Sequence, residues 1–268
     1  MTAPAIDLNA DLGEGSGDDG ALLEVVTSAN VACGFHAGDS ATMRAVCAAA
    51  AERGVVIGAH VGYDDREGFG RRELDVAADD LEAQATEQIA ALRGAAAAAG
   101  TTVRYVKPHG ALYDRCTQDA DAARAVVLAA AAAGLPAVLG LPGSVLLAVA
   151  ERAGLAAIAE GFADRRYAAA AGGPGTTGGS GTQPAGDAGA VRRLVDRGSR
   201  GALLDPDEAM KQAVLLARDG LVVAADGTSL RVAVRSICVH GDSPSAVILA
   251  RGVRSALDAV GVGLAPFA

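Results

Sequence analysis

Tryptophan is absent from this chain of 268 residues, and aromatic side chains together make up 3% of it. Such a composition favours close packing over a ligand-stacking groove. The interior has to be built from Ala, Val, Leu and Ile, which suit close packing of helices on strands. Cysteine is scarce as well. Cys33, Cys47, Cys116 and Cys238 form neither a C-x-x-C pair nor a disulfide-type spacing, so reduced thiols in a cytoplasm are expected, with Cys33 and Cys238 filling strand positions. No run of five basic residues occurs and the formal net charge is −9, which argues against nucleic acid and anionic membrane surfaces as partners. Met1 to Ile6 lacks the basic and apolar regions of an export signal and leads straight into a strand pattern. The uncharged stretch between Arg124 and Glu151 is long enough to span a bilayer, but Gly134, Pro136, Gly140, Pro142 and Gly143 punctuate it. It reads as helix, buried strand and turn. Neither G-x-G-x-x-G after the first strand nor G-x-x-x-x-G-K-[ST] is present, so neither a dinucleotide fold nor a P-loop is supported.

What is there is an apolar half of the sequence, enough for one large core and a single domain over residues 1–268. Apolar runs predict seven strands at Ile6–Asp11, Ala29–Phe35, Val55–His60, Thr102–Lys107, Ala137–Leu141, Ala156–Gly161 and Ser236–His240. Helical patterns lie between them. One runs from Ala41 to Arg53, with Asp39 and Ser40 as N-cap candidates and Gly54 as the stop; another runs from Leu81 to Ala99 and stops at Gly100. Asp205-Pro206-Asp207-Glu208 combines a cap, a proline at the first helical position and an acid at the third. Strand and helix alternating over this length predict parallel βα units. Polar residues after nearly every strand favour a closed seven-stranded (β/α) barrel over an open sheet with one switch point. Leu221–Ala225 and Ser229–Ala233, joined around Asp226-Gly227, read as a small β-hairpin decorating it. Residues 168–190 are almost entirely Ala, Gly, Pro, Thr and Ser and read as a flexible inserted loop, either a lid or an inert insertion.

The chain has only four histidines, and each sits where an apolar run ends: His36, His60, His109 and His240. Reacting groups collect at such ends in parallel α/β folds. In the first strand Asp7, Asn9 and Asp11 share one face, with Glu14 just beyond. That density of buried polar groups calls for partners, either a structural network or a site. His36-Ala37-Gly38-Asp39 and His240-Gly241-Asp242 both follow a histidine with a glycine and then an acid. The acid would tune the histidine or, alternatively, cap a helix. Lys107 ends the fourth strand, and Glu160, Asp164 and Arg165 follow the sixth. The two cations suit a carboxylate or phosphate.

Several of these strings occur together: Leu8-Asn9-Ala10-Asp11-Leu12-Gly13-Glu14, Ser28 through Asp39, Gly58-Ala59-His60, Lys107-Pro108-His109-Gly110-Ala111-Leu112-Tyr113 and Phe162-Ala163-Asp164-Arg165. In this combination, from about Ile6 to Val260, the chain resembles the LamB/YcsF family. The resemblance implies a (β/α) barrel related to polysaccharide deacetylases. It further implies work with two partner subunits of B and C type, in which 5-oxo-L-proline is opened to L-glutamate with ATP consumed, the partners activating the lactam. Val61, Asp64, Arg166 and Asp196 depart from the family pattern at loop positions. The candidate catalytic residues are Asp11, His36, Asp39, His60, His109, His240 and Asp242, and the candidate substrate-binding residues are Asn9, Lys107, Glu160, Arg165 and Arg197. Backbone N–H groups at Gly38 or Gly241 would assist as helix N-termini. No metal-ligand set is assigned. The alternatives are a metal-dependent amidohydrolase or deacetylase using Asp11, His36 and His60, for which the H-x-x-x-H spacing is lacking, and a non-catalytic lactam-binding subunit.

Overall fold

The computed structural model describes residues 5–15, 17–168, 194–241 and 245–268. Asp242 and, apart from Ala168, the segment 168–190 lie outside the described residues.

The chain alternates β1 (Ala5–Leu12), α1 (Asp19–Leu23), β2 (Ser28–Ala32), α2 (Ser40–Arg53), β3 (Val56–Val61) and α3 (Ala78–Ala98). It continues through β4 (Val103–Pro108), α4 (Gly110–Cys116), α5 (Ala120–Ala132), β5 (Ala137–Gly140), α6 (Val145–Arg152) and β6 (Ala156–Phe162). After α7 (Pro206–Asp219) come the antiparallel pair β7 (Leu221–Val223) and β8 (Ser229–Arg231), then β9 (Ser236–Val239), α8 (Ala246–Ala259) and β10 (Gly263–Leu264).

β1 pairs in parallel with β2 and also with β9, so the ladder β1-β2-β3-β4-β5-β6-β9 closes on itself as the predicted seven-stranded barrel. All seven predicted strands are present. β10 is an addition, pairing with the first residues of β1 at Ala5↔Gly263 and Ile6↔Leu264. Most strand boundaries shift by a residue and α3 starts at Ala78 rather than Leu81, but the largest strand difference is in the second: its apolar run extends to Phe35, but the strand ends at Ala32. Gly34 takes φ +98 and its N–H bonds to Ala37 O at 2.9 Å, which turns the chain out of the ladder. His36 is thus presented by a loop rather than a strand. The stretch between Arg124 and Glu151 forms most of α5, then β5 and most of α6, and no described helix is long and apolar enough to cross a membrane.

Period-two alternation sorts the side chains of β1. Leu8, Ala10 and Leu12 face outward into the main core under the helices, while Asp7, Asn9 and Asp11 face into the barrel. The interior is filled in layers. At the floor, Tyr105, Ala137, Leu139 and Ile158 pack together with Phe267 against them. Asp7 accepts from Thr27, Ser28 and Ser236 hydroxyls, and above it Asn9, Asn30 and the Tyr105 hydroxyl interlock at 2.6–2.7 Å. Gly58 is required here, because a Cβ would lie 2.1 Å from the Tyr105 ring.

The helix signals hold. Asp39 caps α2 through Ala41 and Thr42 N–H groups, and Asp205 with Glu208 forms the capping box of α7, which ends at Gly220 with φ +59.

Candidate functional site

At the C-terminal end of the strands a cavity of about 820 Å³ opens, lined by Asp11, Glu14, His60, Lys107, His109 and His240 on its inner side. Arg71, Asp114, Arg165, Asp196 and Arg197 stand among its other lining residues. Of the four histidines, only His36 does not line the cavity. It stacks flat on His109 with ring centroids 3.8 Å apart.

Three short segments fix the histidines. His60 projects from β3 and its Nδ1 lies 3.1 Å from Lys107 O. His109, just past β4, has its Nε2 2.9 Å from Phe69 O. Phe69 is the sole non-glycine among the described residues with a positive φ, +56. That costly conformation aims its carbonyl at the imidazole. The loop carrying Phe69 is tied down on both sides. Gln88 bonds both N–H and C=O of Gly62 at 2.9 Å, and Asp65 gathers Gly68 N–H, Arg72 N–H and the Arg72 guanidinium. Arg66 reaches back to Gly34 O and Gly38 O, linking this loop to the one that carries His36. Gly70, at φ +65, lets backbone pass where a Cβ would sit 2.8 Å from both His109 and His36.

Lys107 is 2% exposed, with its Nζ 3.1 Å from both Asp11 Oδ1 and Glu160 Oε2 and 3.4 Å from Cys238 Sγ. Burial opposes its charge, but Asp11, Cys238 and Glu160 outweigh it and hold the ammonium pKa well above the usual value. Asp11 is likewise penalised by burial and pulled well below the ordinary carboxylate range by Lys107 and His60. Burial, then the neighbouring His60, drives His36 down to about 3, and burial with His60 and His36 likewise depresses His109.

On the opposite wall, His240 Nδ1 lies 2.9 Å and 3.0 Å from the two Asp164 oxygens, and its ring stacks on Phe162. Gln212 from α7 donates to the carbonyls of Phe162, Ala163 and Arg165, which pins the turn carrying Asp164 and Arg165. Arg165 is 9% exposed, with Nη2 bonded to Val195 O at 2.7 Å.

The remaining candidates fall outside the cavity. Asn9 is fully buried in the layer below and bonds Ser236 and Asn30, and Glu160, fully buried, meets the site through Lys107 and lies beside Tyr113. Asp39 is exposed, and its carboxylate is taken up by capping α2. The acid that holds His240 is Asp164, and Asp242 lies outside the described residues. Arg166, one of the departures from the family pattern, points away to an ion pair with Glu208. Glu14 is the residue that sequence reasoning left out of the site. Its Oε1 lies 3.4 Å from His109 Nδ1, 3.7 Å from His36 Nε2 and 3.8 Å from His60 Nε2. Glu14, His36, His60 and His109 each bring one atom able to bind a metal ion, all within 4.8 Å of one another. The available signal for Glu14 was its place just beyond the polar face of β1.

Residues 6–268 match the profile of the LamB/YcsF family. The A subunit of 5-oxoprolinase from Streptomyces avermitilis is 55% identical over 271 residues, covering 98% of this chain and all of that protein. A 5-oxoprolinase A subunit of Agrobacterium fabrum is 48% identical, covering 98% of each. Among solved structures, the lactam utilization protein from Thermus thermophilus superposes with a TM-score of 0.83 at 35% identity, covering 98% of this chain and all of that one. With a barrel, a cavity and a full-length match in accord, this chain belongs to the LamB/YcsF family.

Proposed function

We propose that this chain is the A subunit of an ATP-dependent 5-oxoprolinase and completes the opening of an activated 5-oxo-L-proline to L-glutamate, with subunits of B and C type as partners. The observation that carries the reading is the full-length similarity to proteins named as A subunits of 5-oxoprolinase, joined to a cavity whose lining fits the chemistry. A lactam is a stable amide, so opening it requires a nucleophilic water, stabilisation of the developing oxyanion and a proton for the departing nitrogen. The Asp164–His240 pair suits proton transfer: Asp164 engages Nδ1, leaving Nε2 as the nitrogen available for exchange. Arg165 and Arg197 offer guanidinium groups for the substrate carboxylate or a phosphoryl group. Lys107, held between the carboxylates of Asp11 and Glu160, fixes an ammonium donor at the floor of the cavity. ATP is assigned to the partner subunits, in keeping with the lack of a P-loop here.

The test is ATP-dependent release of glutamate from 5-oxoproline by the combined B and C type subunits, with and without this chain. Turnover is expected only with all three present. His240→Asn is expected to lower it by on the order of 10²-fold or more while leaving the far-UV circular dichroism unchanged. Equal turnover without this chain would refute the proposal.

A further inference from the structure

His60 and His109 are each held from outside by a backbone carbonyl, Lys107 O for His60 Nδ1 and Phe69 O for His109 Nε2. A carbonyl only accepts, so in each neutral ring the outer nitrogen carries the hydrogen and the inner nitrogen bears a lone pair. The two inner nitrogens, His60 Nε2 and His109 Nδ1, lie 3.0 Å apart, and Glu14 Oε1 faces them at 3.8 Å and 3.4 Å. Asp11 Oδ2 adds another acceptor 3.5 Å from His60 Nε2. The centre of this group is therefore made of acceptors pointed at one another. Facing lone pairs are costly to bury unless something positive sits between them.

We infer that Glu14 Oε1, His60 Nε2 and His109 Nδ1 form a binding site for a divalent first-row transition ion. Imidazole nitrogens with one carboxylate suit zinc or its neighbours, and carbonyls that fix the far nitrogens are the usual outer partners of metal-bound histidines. All three residues line the cavity, so an ion here keeps a position open toward it for water or substrate. His36 packs behind. Its ring is parallel to that of His109 within 5° at 3.8 Å, so an ion in the His109 plane lies outside the His36 plane. The site differs from the sequence-based alternative of Asp11, His36 and His60 in taking Glu14 and His109 in place of Asp11 and His36.

The inference rests on the geometry of these residues and not on the proposed reaction, and it is tested without 5-oxoproline, ATP or partner subunits. The full chain, stripped with chelator, is titrated with Zn²⁺ by calorimetry and with Co²⁺ by visible absorption. One ion per chain is expected, with a Co²⁺ d–d spectrum and a rise in melting temperature that follows ion concentration. Glu14→Gln and His109→Asn are each expected to weaken binding by about 100-fold or more while keeping the fold by circular dichroism, and Asp39→Asn to leave it unchanged. Absence of saturable binding by the native chain at ion concentrations on the order of 1 mM would overturn the inference. Stoichiometric binding that survives both Glu14→Gln and His109→Asn would overturn it equally.

Discussion

At Lys107 an ammonium is sandwiched between two carboxylates in a position 2% exposed, which makes its removal a different experiment from the loss of a surface anchor. Lys107→Met leaves Asp11 and Glu160 buried without their counter-ion, and such changes typically cost about 3–5 kcal/mol. Turnover is expected to fall by on the order of 10²-fold as well, with Lys107→Arg recovering only part of it because the planar fork differs in shape. Urea denaturation of a double-mutant cycle separates the two effects. Lys107→Met with Glu160→Gln is expected to be more stable than the sum of the single variants by about 0.5–3 kcal/mol. Strict additivity would mean that the Glu160 contact carries no energy. At this scale the sequence was informative about residue type and silent about pairing. That a histidine near Gly241 needs an acid was readable, but the acid is Asp164, which lies 76 positions away in the chain.

The elements act by aiming short loops. α7 lies outside the barrel, yet its Gln212, 6% exposed, collects three carbonyls of the turn that carries Asp164 and Arg165. Gln212→Leu keeps the side-chain bulk and leaves those carbonyls unsatisfied, so a stability loss of about 1–3 kcal/mol is expected. Hydrogen exchange should quicken at the amides of residues 163–166 more than in β5, which has no contact with Gln212 in its hydrogen bonds. Uniform exchange rates across both would show that the turn holds itself. Helix ends were legible in advance because capping is local chemistry: Asp205, Pro206, Glu208 and Gly220 do in the fold what their order in the sequence predicts. The end of the second strand was not, since Phe35 is as apolar as a strand residue should be and only the φ of Gly34 turns the chain away.

For the whole molecule, closure of the barrel brings β1 between β2 and β9 and leaves a floor that must be sealed. The C-terminal segment does this. β10 extends along the start of β1, Ala265 N–H bonds Ile6 O at 3.0 Å, and the Phe267 ring meets that of Tyr105 edge-on at 4.9 Å. Phe267→Ala is expected to lower stability by about 1–3 kcal/mol, from lost burial and the lost ring contact, with little change in turnover because the cavity lies at the other end of the strands. A denaturation midpoint equal to that of the native chain would show the floor is sealed without it.

The sequence by itself determined the class of fold, the number of barrel strands, the caps of α2 and α7 and the placing of His60, His109 and His240 at one end of the barrel, because each of these follows from local periodicity or from the direction shared by parallel strands. Tertiary structure decided which polar residues face the cavity and which fill the barrel. Asn9 and Glu160 share the character of site residues but lie fully buried and satisfied or paired inside. Glu14, past the end of β1, enters the histidine cluster because Gly13 turns at φ +74, beyond the reach of any strand alternation. Alternation gives each strand two faces. How far along its axis a side chain sits, and what stands opposite, is set by register and closure, which are properties of the assembled sheet.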